Sequence, residues 1–265
     1  MSKRADGEYP REGVLWRLSF WIGGRTRGMT AALAPAITMV ALCGCQTTME
    51  RSAELQRVAK HTVLASRSVS VSRESPSVKV LYSTVVHSSE GVAVAVGLLN
   101  TSSATLENAP IEITVRDAKG AVLYQNNQPG LDPSLTRVAS LEPGAETVWV
   151  DDQVQVTSVP ASATALVGEA TRASGSIPKL SVSGTRLIDE GGAETAATGT
   201  VANRSKVAQE HLVVYAIARR GQRIVAVGRA VLPEVSPGAS APFQAYFVGD
   251  PHGAHISTSA PAATF

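Results

Sequence analysis

The sequence predicts an all-β body of two tandem β-sandwich repeats, set behind an export segment and a flexible tether. Three observations carry that prediction. Beyond residue 78 the apolar residues recur at period two. Val92, Val94, Val96 and Leu98 share one face, and Ile111, Ile113 and Val115 alternate with Glu112, Thr114 and Arg116, as half-buried strands do. No segment beyond the tether carries a helical stripe longer than two turns. The same landmarks also come twice in one order.

In that duplication, Leu98-Leu99-Asn100-Thr101-Ser102 is answered by Val201-Ala202-Asn203-Arg204-Ser205, each closing an apolar strand with Asn-x-Ser. The strand, charged turn and strand from Ile111 to Val122 around Gly120 are answered by Leu212 to Val225 around Gly221. Leu141-Glu142-Pro143-Gly144 is answered by Val235-Ser236-Pro237-Gly238, and Trp149 and Phe243 each follow the Pro-Gly glycine by five residues. Aromatics make up only 5% of the chain, so Trp149 and Phe243 are the expected core of their repeats.

Taken in order, residues 1–44 are expected to be a lipoprotein signal peptide. Arg25 and Arg27 supply a positive lead, Met29 to Leu42 an apolar run of about 14 residues, too short for the ~20 that span a bilayer. The run ends in Leu42-Cys43-Gly44-Cys45, which resembles a bacterial lipobox with cleavage after Gly44. Cys45 is the expected site of lipid attachment, because a thiolate is nucleophilic enough to accept a diacylglyceryl group as a thioether. Cys43 fits less well, since bulky Leu42 would then stand beside the cleaved bond. With Cys45 acylated, the mature chain holds no pair for a disulfide, and stability must come from burial.

Residues 45–77 are expected to be a flexible tether, polar at first, Ser-rich from Ser66 and ended by Pro76. Residues 78–170 form the first predicted repeat and 180–265 the second, with 171–179 as the linker. Each repeat is close to the ~100 residues of an immunoglobulin-like sandwich.

The order of signals, a strand ending in Asn-x-Ser, a strand, an x-x-Gly turn, a strand, Pro-Gly and a strand with an aromatic, resembles the FxLYD family of bacterial envelope domains. The family's name motif falls on Ile113-Thr114-Val115-Arg116-Asp117, ahead of Gly120. There the apolar alternation, the Asp and the Gly are kept; in the second repeat Tyr215 to Gly221 lacks the Asp. The resemblance implies a small β-sandwich on an anchored envelope protein and carries no defined chemistry.

Charge gives no support for nucleic-acid binding. Six Lys and Arg against three Asp and Glu put +3 on residues 1–28, more than the +2 of the whole chain, so the rest is near neutral. Among candidate sites, Asp250, His252 and His255 are possible metal ligands by residue type, but Pro251 and Gly253 favour a loop over the helix that would align the imidazoles. Asp151-Asp152 offers too few oxygens for calcium. Ser176-Ile177-Pro178-Lys179 matches S-x-x-K, but Pro178 opposes the helical turn that motif needs. The sequons at Asn100 and Asn203 are expected to be turn structure. Arg219-Arg220-Gly221-Gln222-Arg223 is a basic hairpin tip suited to anionic wall polymer or lipid headgroups.

No catalytic residue, metal or cofactor is expected. The function this leaves is a non-catalytic binding or scaffolding module of the cell envelope, held at the membrane by its lipid and facing an unknown envelope protein or wall polymer. The alternatives are a metal-assisted or hydrolytic envelope enzyme using the C-terminal histidines, and a purely structural spacer.

Overall fold

The computed structural model describes residues 68–189 and 194–263, and its regular structure is almost entirely strand. In the first half the strands are β1 (Val78–Ser88), β2 (Gly91–Asn100), β3 (Leu106–Arg116), β4 (Val122–Gln125), β5 (Arg137–Leu141), β6 (Glu146–Asp151), β7 (Ser162–Val167) and β8 (Thr171–Arg172). The second half holds β9 (Leu180–Asp189), β10 (Thr195–Asn203), β11 (Gln209–Arg220), β12 (Arg223–Val235), β13 (Ser240–Gly249) and β14 (His255–Ser259). All pairings between them are antiparallel.

The two halves repeat one another at the level of register. Asn100 lies opposite Val78, and Asn203 opposite Leu180. Four residues before each Asn, Val96 faces Trp149 and Gly199 faces Phe243. Leu106 pairs with Leu141, as Gln209 does with Val235, and two residues later each ladder skips a residue at positive φ, Asn108 (53°) and His211 (49°). The register is unchanged across each of them, so the ladder passes over one pair without a bulge.

The Asn-x-Ser turns are the same staple built twice. Asn100 Nδ2 donates to the carbonyls of Ala104 (2.8 Å) and Leu141 (2.9 Å), and Asn203 Nδ2 to those of Val207 (2.8 Å) and Val235 (2.9 Å). Their Oδ1 atoms accept from the backbone N–H and the hydroxyl of Ser102 and Ser205. Each fully buried carboxamide thus ties its turn to the strand end that precedes Pro-Gly.

The halves differ in how that plan closes. In the first, β1-β2-β6 forms one sheet, and β3, flanked by β4 and β5 on one side and β7 and β8 on the other, forms a second. A loop over 126–136 separates β4 from β5, and buried Asn126 fills the gap, accepting from the Ile113 N–H (2.7 Å) and donating to the carbonyls of Ile111 and Leu135. In the second half β12 runs unbroken, and its pairing with β13 joins everything into one six-stranded sheet, β14-β11-β12-β13-β10-β9. Its outer strands meet through the hydroxyls of Thr185 and Thr258, 2.7 Å apart.

Burial explains where period two fails among the described strands. Leu212, Val214, Ala216 and Ala218 of β11 face a core inside the six-stranded sheet, with Phe243 and Phe247. The alternate residues Val213, Tyr215 and Ile217 enter a larger core with Trp149, Leu98, Ile111 and Ile113 of the first half. A strand covered on both sides has no polar face to keep, hence the unbroken apolar run. β2 is enclosed likewise from Ala93 to Leu98. Ahead of β1, residues expected in the tether lie on the body: Val69 is buried, and the Ser75 N–H donates to the Val167 carbonyl at 2.8 Å. The linker begins as β8, paired to Leu106 and Glu107.

Candidate functional site

The β11–β12 hairpin ends in Arg219, Arg220, Gly221, Gln222 and Arg223, and Gly221 takes the positive φ (61°) that so tight a turn requires. This tip stands beside the outer part of β1 and encloses with it a cleft of about 920 Å³, bounded by Tyr82, Thr84, His87, Glu146 and Asp250.

Two of its arginines are held in place. The Arg219 guanidinium donates to the Tyr82 hydroxyl and lies 3.7 Å from Glu146, whose Oε1 accepts from the same hydroxyl at 3.1 Å. Tyr82 can lie there because its ring covers Gly97, where a Cβ would overlap it. Burial pushes the Tyr82 phenol up, and Arg219 opposes that shift. Arg220 Nη2 donates to Asp250 Oδ2 (2.8 Å) and to the carbonyls of Asp250 (3.3 Å) and His252 (2.7 Å). The backbone N–H of His252, then its ring, then Arg220 hold the Asp250 carboxyl down at about 2, and the same carboxylate raises His252.

A second polar group joins the two halves. Arg229 of β12 donates through Nε to Asp152 Oδ1 (3.0 Å) and through Nη1 to the Ser134 hydroxyl (2.6 Å), while Trp149 Nε1 donates to the Ser134 carbonyl (2.9 Å). Beside it Asp151 Oδ2 accepts from the Tyr124 hydroxyl at 3.0 Å. Burial pushes the Asp151 carboxyl up to about 6 against the pull of the Gln153 N–H, Tyr124 and Arg229. Arg229, Ser134 and Asp151 are buried and Asp152 is partly exposed, and together they tie β12 to the loop and strand end of the first half.

No family model matches the chain, and no curated protein is significantly similar to it. The site is therefore read from its own residues.

Trp149 and Phe243 are both buried, Trp149 in the core shared by the halves and Phe243 against Gly199 inside the six-stranded sheet. Asp250 and His252 come together, with Oδ1 2.8 Å from Nδ1, but they serve Arg220 and reach across to Asp189 (3.2 Å). His255 opens β14 opposite Arg219. Among the described residues no three His, Cys, Asp or Glu are grouped to hold a metal. Ser176 to Lys179 is not helical. No described helix is long and apolar enough to cross a membrane. Leu42, Cys43, Gly44 and Cys45 lie outside the described residues. Of the walls of the cleft, Tyr82 and Glu146 are missed by sequence reasoning, because they lie more than seventy residues from the tip, and Asp250 is picked out only as a possible metal ligand, not as the partner of Arg220.

Proposed function

We propose that the chain is a non-catalytic binding or scaffolding module of the cell envelope, held at the membrane through lipid on Cys45. It presents the cleft beneath the β11–β12 tip to another envelope component. The observation that supports the binding role is that cleft itself: open, flanked by three arginines, two of them fixed in place by groups from other strands. The address rests on Leu42-Cys43-Gly44-Cys45 and on the resemblance to FxLYD envelope domains. The roughly 22 residues 46–67 can span at most ~75 Å even fully extended, so a body anchored at Cys45 works within that distance of the bilayer.

Two measurements test the reading. Cys45→Ala should move the protein from the membrane to the soluble fraction; retention with the lipid refutes the anchor. A photoreactive residue in place of Gln222 should capture one envelope component in cells, whereas the same substitution at Lys119 should not. Equal labelling from both positions refutes the cleft as the contact surface.

A further inference from the structure

We infer that this cleft binds an oligophosphate, a ligand carrying two or more phosphoryl charges; the inference deepens the binding role proposed above. Two independent features point to an anion. The first is the register of the hairpin, in which Arg220 lies directly opposite Arg223. Like charges facing each other across an antiparallel pair are destabilising, so this tip works against itself unless negative charge sits beside it. Asp250 answers Arg220, but Arg223 is exposed and has no polar partner among the described residues. The matching hairpin of the first half carries no such conflict: Asp117 accepts from the N–H groups of Lys119 and Ala121, both at 2.8 Å, and closes its own turn.

The second feature is how the guanidiniums are held. Arg219 meets Tyr82 and Glu146, and Arg220 meets Asp250 and the two carbonyls, in every case through Nη2. Nε and Nη1 of both groups are not engaged by other described residues; they lie on different edges of the guanidinium, so each offers the cleft separate, single N–H donors to an anion. Prior fixing of the side chains lowers the entropy lost when a ligand arrives.

Charge counting then sets the valence. Glu146 and Asp250 already offset two of the three arginines, so a monoanion meets one unmatched cation. A single exposed ion pair falls well short of even millimolar affinity. Several phosphoryl oxygens on one ligand accept from the unengaged N–H groups of all three guanidiniums at once, which adds hydrogen bonds that the one unmatched charge cannot supply. The cleft's 920 Å³ admits such a chain, or adjoining phospholipid headgroups.

The test is calorimetric titration of the full chain in neutral detergent with tripolyphosphate, at low and high salt. Wild type should bind, and more weakly as salt rises. Arg223→Gln, which breaks no described contact, should weaken binding at least tenfold, and Lys119→Gln less than twofold. Absence of binding by wild type, or equal loss in the two variants, overturns the inference. Repeating the titration in micelles doped with phosphatidylglycerol identifies the source. A fivefold drop in apparent tripolyphosphate affinity that vanishes in Arg223→Gln assigns the site to lipid headgroups, and an unchanged affinity assigns it to a free oligophosphate. Crosslinking from Gln222 judges the envelope role separately, so failure of one experiment leaves the other standing.

Discussion

Replacing Asp151 by Asn is expected to stabilise the protein at neutral pH and to change little at pH 4. The carboxyl is buried beside Tyr124 and Arg229, and burial raises it from the ordinary 3.8 to about 6. The native state therefore holds this proton more tightly than the unfolded chain. Its contribution to stability is fully present below about pH 4 and is lost as pH rises through 6. At pH 7 the ionised group costs about 3 kcal/mol, from the ~1.36 kcal/mol that each pH unit of displacement is worth. Asn keeps a carbonyl for the Gln153 N–H and an amide toward the Tyr124 hydroxyl, so the uncharged variant avoids that cost. Chemical unfolding of wild type and Asp151→Asn, followed by tryptophan fluorescence from pH 4 to 8, gives the difference curve, in which groups displaced the other way, such as Asp250, cancel. The expected curve is flat near zero at pH 4 and rises toward ~3 kcal/mol by pH 7. A variant destabilised equally at both ends would show that Arg229 holds Asp151 ionised, and would refute the reasoning.

Three further outcomes follow from the packing. Trp149→Ala and Phe243→Ala should each lose about 3–5 kcal/mol, and an unchanged melting temperature in either would contradict its burial. Asn100→Ala and Asn203→Ala remove the same set of bonds, so each should cost about 1–3 kcal/mol and the two should agree within ~1 kcal/mol; a large disparity in urea midpoints would mean the staples are not equivalent. Gly97→Ala drives the Tyr82 ring from its seat and should cost about 1–3 kcal/mol, together with a weaker grip on tripolyphosphate through Arg219. Retention of both wild-type stability and affinity would remove Tyr82 from the site.

Local patterns carried the fold well. The alternation around Ile113, the paired Asn-x-Ser and Pro-Gly landmarks and the aromatic after each one are short-range signals, and the structure puts equivalent bonds and registers behind them. Val213 to Ala218 was less legible, because a continuous apolar run does not say which two surfaces cover it. The site was half legible. Arg219 to Arg223 stood out by charge, whereas Tyr82, 137 residues from its partner Arg219, reaches the tip only through tertiary packing. The pairing of Arg229 with Asp152 was invisible for the same reason, with 77 residues between them.

The core shared across the halves bears on cutting the chain. Gly175 lies in the stretch between β8 and β9, the one covalent link between the halves, yet Tyr215 and Val213 are lodged among Trp149 and Leu98. A protease that nicks there should leave two fragments migrating as one particle in native buffer and parting only in denaturant. The apolar contacts, rather than the peptide bond, hold the halves in common.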